Sequence, residues 1–79
     1  MIDLIGPLEL IVKVLMYGKA KYSEKGWMTV EKERYIDAHS RHMAAYYKGE
    51  HMDEESGLPH LAHALCSLMF VTYLEYFND

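Results

Sequence analysis

A single cysteine, Cys66, is all the sequence offers for covalent stapling, so no disulfide can close within its 79 residues. Its simplest place is the interior, as a small apolar side chain in a reducing compartment. Positive charge is also short. Eight Lys and Arg face twelve Asp and Glu, for a formal net charge of -4. A balance of that sign argues against duplex DNA or RNA as a partner. Long apolar runs are missing as well: Leu8 to Tyr17 is broken by Glu9 and Lys13 and falls short of the roughly 20 residues that span a bilayer. The N-terminus has neither the basic stretch nor the small-residue cleavage site of a secretory signal. A cytoplasmic protein that neither enters nor crosses a membrane is therefore expected. No alternating apolar pattern is sustained, so no strand is expected either.

What the chain does have is apolar side chains, 51% of the total. One domain spanning residues 1–79 is the limit at this length, and its core can supply only about 3–5 kcal/mol of net stability. Without disulfides, a metal or a partner subunit is left as the staple. The surplus of apolar residues points to subunit interfaces, hence a homo-oligomer, a dimer or a tetramer. Three segments read as helices. The first runs from about Pro7 to Tyr22, with Leu8, Ile11, Val12 and Leu15 on one stripe and Leu10, Val14 and Tyr17 on another. The second runs from about Val30 to Lys48, with Thr29 as N-cap and Gly49 just past the end. The third begins near Leu58-Pro59 and reaches about Phe77, with Leu61, Leu65, Leu68, Met69 and Thr72 as its main stripe. The expected fold is all-α, a small bundle of three or four helices that completes its core by oligomerisation.

Three groups of residues can carry chemistry. His39 with His42, and His60 with His63, are pairs three residues apart, so each pair projects from one helical face. Between them lies an acidic loop with Glu50, Asp53, Glu54 and Glu55, which offers oxygen ligands to a divalent cation or simply solvates the start of the next helix. Lys19, Lys21, Tyr22, Lys25 and Trp27 interleave cations with aromatics, a composition that suits a ligand bearing both phosphate and base; Arg41 can add to it. There is no glycine-rich phosphate loop and no nucleophile elbow.

The segment from Arg41-His42 through Gly49-Glu50, Asp53-Glu54-Glu55-Ser56-Gly57-Leu58 and on to His60 and His63 resembles the phage domain known as dATP/dGTP diphosphohydrolase, as does Tyr17-Gly18-Lys19 through Trp27. The resemblance runs from about Ile5 to Leu74. It implies an all-α fold, purine nucleotide ligands and a phage setting, hence host cytosol. It also implies a distant relation to MazG-like pyrophosphatases, which hold Mg²⁺ with clustered carboxylates. This chain departs from that pattern: Glu9 is the only acid inside the first helix, and His60-Leu61-Ala62-His63 stands where a second acidic cluster belongs. Neutral imidazoles prefer softer metals than Mg²⁺.

Two readings follow. In the leading one, Lys19, Lys21, Arg41, His42, His60 and His63 hold phosphates and Tyr22 or Trp27 stacks on a base. The protein would then sequester a purine nucleotide or a cyclic dinucleotide signal, as a sponge in immune evasion, with no turnover and no cofactor. In the other, Glu9, Glu50, Asp53 and Glu55 surround Mg²⁺ or Mn²⁺, and His42, His60 or His63 serve in catalysis, releasing a monophosphate and pyrophosphate.

Overall fold

In a computed structural model, residues 3–21 and 26–78 form three α-helices and the turns between them. Helix α1 covers Ile5–Lys21, α2 Lys32–Tyr47 and α3 His60–Tyr76, with a short 3-10 turn at Gly26–Thr29. The all-α three-helix bundle expected from the sequence is what forms. Among the described residues there is no strand, only an isolated bridge between Met52 and Pro59. No helix among them is long and apolar enough to cross a membrane.

Helix α1 starts two residues before Pro7 because Asp3 Oδ1 accepts the Ile5 N–H at 2.9 Å. Pro7 then sits in the first turn, where a missing N–H removes no intrahelical bond. The sequence points to Thr29 as the N-cap of α2, but its hydroxyl donates to the Gly26 carbonyl at 2.8 Å and closes the 3-10 turn instead. Glu31 takes the cap position, without a side-chain bond. The other end of α2 is as expected. Gly49 has φ +95°, its N–H donates to Tyr46 O at 2.9 Å, and the Glu50 N–H donates to Ala45 O at 3.0 Å. That pair of bonds is a Schellman close, which satisfies two of the last carbonyls.

Helix α3 is the middle element, with α2 along one flank and α1 along another. Contacts from α2 to α3 descend in antiparallel order: Lys32 to Glu75 at 3.0 Å, the rings of Tyr35 and Phe70 4.9 Å apart, His39 Nδ1 to the Ala64 carbonyl at 3.1 Å, and His42 to His60 at 2.9 Å. The buried face of α3 is made of small or polar residues, His60, Ala62, Ala64, Cys66 and Ser67. Short side chains let the neighbouring helices approach closely. Val14 of α1 packs on Ala62 and Cys66, with Leu10, Leu58 and Phe70 around them. Burial pushes the Cys66 thiol up to about 11, so it is protonated and inert.

The stripe assigned to the core of α3 from its leucines therefore faces outward. Leu61, Leu65, Leu68 and Met69 are all exposed, because the seam selects small residues. On α1, Ile11 and Val14 are buried while Leu8 and Val12 are not. The Cα radius of gyration is 12.8 Å, against about 11.6 Å for a compact domain of this length.

Gly49 stands in the left-handed region with open space where a Cβ would go. Gly49→Ala is thus expected to destabilise the fold by about 1–2 kcal/mol through backbone conformation alone, measured by chemical denaturation.

Candidate active site

All three helices and the 48–59 connection meet at His63. The connection is a hydrogen-bonded structure rather than a free acidic loop. The Asp53 N–H donates to Leu58 O and the Gly57 N–H to Asp53 O, both at 2.8 Å, and the His60 N–H donates to His51 O at 2.9 Å. Gly57 makes the turn possible with φ +72°. Folded this way, the loop points Asp53 and Ser56 at α3. Asp53 Oδ2 accepts the Ser56 backbone N–H at 2.9 Å and the Ser56 hydroxyl at 2.8 Å. Ser56 Oγ in turn lies 2.7 Å from His63 Nε2.

The proton positions follow from this geometry. Burial works to raise the Asp53 pKa, but the two hydrogen bonds from Ser56, together with the neighbouring His63 and His42, outweigh it and hold the carboxyl below its ordinary value. Asp53 is therefore an ionised acceptor at neutral pH, and the Ser56 hydroxyl donates to it. Ser56 Oγ has only lone pairs left, which accept from His63 Nε2–H and, at 3.2 Å, from the Leu58 N–H. A neutral His63 is fixed as the Nε2–H tautomer, with its basic lone pair on Nδ1. Asp53 lies 3.7 Å from His63 Nε2 and can stabilise a positive ring.

His42 stacks on His63, with centroids 4.6 Å apart and planes 11° from parallel, and its Nδ1 meets His60 Nδ1 at 2.9 Å. Only one of those two nitrogens can carry the shared proton. Burial first, then the neighbouring His63 and His60, lower the His42 pKa to about 4, against the pull of Asp53. Burial also lowers that of His63, with Asp53 opposing and His60 adding. At neutral pH both rings are neutral. Tyr17 of α1 closes the group, its ring edge-on to His63 at 6.2 Å and its hydroxyl donating to Glu55 Oε1 at 2.6 Å.

Of the phosphate-binding residues expected from the sequence, His42, His60 and His63 come together. Arg41 and Lys19 are exposed on α2 and α1. Tyr22 lies outside the described residues, as do the side chains of Lys21 and Trp27. The four carboxylates expected around a metal do not converge. Glu9 precedes Tyr17 on α1 by eight residues, about 12 Å of rise, and is exposed. Glu50 is exposed after the Schellman close, Glu55 is tied to Tyr17 and acts on His63 by its charge, and Asp53 lies 3.7 Å from His63 Nε2. Among the described residues no three His, Cys, Asp or Glu side chains are arranged to hold a metal ion. Mg²⁺ takes oxygen donors in octahedral geometry, so a cluster of imidazoles with one carboxylate does not fit it. The two histidine pairs divide: His39 spends its Nδ1–H on the Ala64 carbonyl, the structural use of a helix histidine, and His42 joins the cluster. Ser56 and Tyr17 were missed as site residues. In the sequence Ser56 stands out only as part of the segment that resembles the family, and Tyr17 as part of an apolar stripe and of the Tyr17-Gly18-Lys19 segment.

Comparison with known proteins decides the family. The sequence matches the family described as dATP/dGTP diphosphohydrolase, N-terminal, over residues 2–78. The chain belongs to that family. A protein of Salmonella phage PMBT28 named dATP/dGTP diphosphohydrolase is 39% identical over 75 residues, covering 92% of this chain and 26% of its own length. The chain thus spans about a quarter of that relative. No solved structure matches it. These findings overturn the preference for a sponge without turnover: the family and the phage relative both carry the name of an enzyme, and the missing acidic cluster was too weak a ground for preferring sequestration.

Depressed histidine pKa values make stability depend on pH. Between about 6.5, where unfolded histidines titrate, and about 4, the folded value of His42, the unfolded chain binds more protons than the folded one. Stability is full above this window and falls as pH drops through it; the lowered values of His63 and Asp53 act in the same sense. A melting temperature lower at pH 5 than at pH 7 is expected, with His42→Gln flattening the slope.

Proposed function

We propose that this domain cleaves a purine deoxynucleoside triphosphate, of the dATP or dGTP class, between the α- and β-phosphates, giving the monophosphate and pyrophosphate. The observation that carries the reading is the lock on His63. Asp53 and Ser56 fix one ring nitrogen as a donor and leave the other as a base, while His42 holds the ring plane by stacking. A base positioned through a hydroxyl and a carboxylate is the arrangement that hydrolysis asks of a general base.

In this reading a water attacks the α-phosphorus and its proton passes to His63 Nδ1. The P–O bond to the β-phosphate breaks and pyrophosphate leaves. The resulting imidazolium is stabilised by Asp53. Of His42 and His60, the ring whose Nδ1 accepts the shared proton carries its own N–H on the outer nitrogen and can donate it to a phosphate oxygen. Lys19 and Arg41, exposed like Lys48 of the same segments, supply positive charge. Mg²⁺ or Mn²⁺ belongs to this proposal as a companion of the triphosphate, not as an ion caged by Glu9, Glu50, Asp53 and Glu55. The working form is proposed to be an oligomer, since a core built on Val14, Ala62 and Cys66 leaves most leucines outside.

The test is product analysis. Incubated with dATP or dGTP and Mg²⁺ or Mn²⁺, the protein should generate monophosphate and pyrophosphate in equal amounts. His63→Gln should lower kcat by about a hundredfold or more. Ser56→Ala should lower kcat with little change in KM, since it frees the ring without removing it. Nucleotide recovered intact after heat denaturation of a stoichiometric complex would contradict the reading. The acid limb of the pH–rate profile should lie below the ordinary histidine pKa of about 6.5, because burial lowers that of His63.

A further inference from the structure

The outer face of α1 is apolar and uncovered. Ile5, Leu8 and Val12 are 65%, 60% and 55% exposed, and Leu15, at the edge of the stripe, 36%. Their spacing is three, four and three residues, which is the a–d–a–d pattern of a coiled-coil seam. Leu4 and Met16, both exposed, flank its two ends. The adjoining face of the same helix, about a third of a turn round and carrying Ile11 and Val14, is buried in this chain's own core. The stripe is therefore additional to folding. A shallow groove on it is lined by Ile5, Leu8, Glu9, Val12 and Lys13. Ile5, Leu8, Glu9 and Val12 make the diamond of four residues that receives a knob from a facing helix.

We infer that this face pairs with the same face of a second copy, the two α1 helices running antiparallel about a two-fold axis near Leu10. The occupant follows from self-complementarity. A two-fold contact requires that when residue i meets residue j, j also meets i. Antiparallel a-to-d pairing about residue 10 sets Leu8 against Val12 and Ile5 against Leu15, so each of the four seam side chains finds an apolar partner. Glu9 and Lys13 carry one charge of each sign, and two such faces meet without net repulsion. The area agrees. The chain exposes 6138 Å², about 1,200 Å² more than the roughly 4,900 Å² of a compact monomer of 9.2 kDa. A standard interface covers about 800 Å² on each partner. The leucine face of α3 is the competing surface, but it is less exposed, 42% to 53% at Leu61, Leu65, Leu68 and Met69, and carries Thr72 and Glu75 along it. The inference does not rest on the hydrolase reading.

Sedimentation of the intact chain at micromolar concentration should give a species of twice 9.2 kDa. Leu8→Glu and, separately, Val12→Lys should convert it to monomer with the helical circular dichroism unchanged, while Leu65→Glu leaves the dimer intact. For the register, the double variant Leu8→Cys/Val12→Cys should oxidise to a covalent dimer much faster than Leu8→Cys alone; buried Cys66 stays silent in both. A monomeric wild-type chain overturns the inference. So does a dimer that Leu65→Glu dissolves and Leu8→Glu does not, and so does rapid cross-linking of Leu8→Cys alone, which marks a parallel pair.

Discussion

The hydrogen bond between His42 and His60 lies at the end of a seam that most of the molecule depends on. It joins the C-terminal part of α2 to the first residue of α3, and it works only if the two helices come close. Ala62, Ala64, Cys66 and Ser67 are small enough to permit that approach and are the buried residues of α3 beside His60. The Schellman close at Gly49 and the hydrogen-bonded turn from Asp53 to Leu58 then return the chain at the right height. The arrangement collects imidazoles and the Asp53 carboxylate at the confluence of helices, where partial burial keeps His42 and His63 neutral.

That neutrality shapes the chemistry. An exposed histidine cluster would be partly cationic near pH 6.5 and would suit electrostatic capture of phosphate. Here burial and mutual repulsion favour the free bases, and the Asp53–Ser56 pair decides which nitrogen of His63 is basic. Capture and hydrolysis thus ask different things of the same residues, and the depressed pKa values agree better with the second. Membership of a family named for diphosphohydrolases points the same way.

Much of the fold was legible. Helix ends were marked by Gly49 and Pro59, and the absence of alternation left nothing but helices. The face each helix buries was not legible. In α3 the apolar content runs nearly all round, so periodicity selects the leucines, whereas close packing selects the alanines and Cys66; only the neighbouring helices decide between them. The sequence shows α1 apolar on two sides, and Ile5, Leu8 and Val12 stand exposed there, as do Leu61, Leu65, Leu68 and Met69 on α3. At the site, the spacing of the histidines indicated that His60 and His63 project together, and the loop acids were noticed. What sequence could not give was the fold of that loop. Ser56 becomes a link between Asp53 and His63 only through long-range geometry, and Glu55 is drawn away to Tyr17 for the same reason.

In the proposed function, the cluster of His42, His60 and His63 is where nucleotide is handled. Its most direct test is a titration of the ¹⁵N-labelled protein with dGTP, following the imidazole nitrogens by long-range ¹H–¹⁵N correlation under conditions too brief for turnover. The account predicts that the ring signals of His42, His60 and His63 move together with saturating nucleotide, while those of His39, bound to the Ala64 carbonyl, and exposed His51 stay in place. Saturable binding that leaves all three cluster rings unchanged would contradict it.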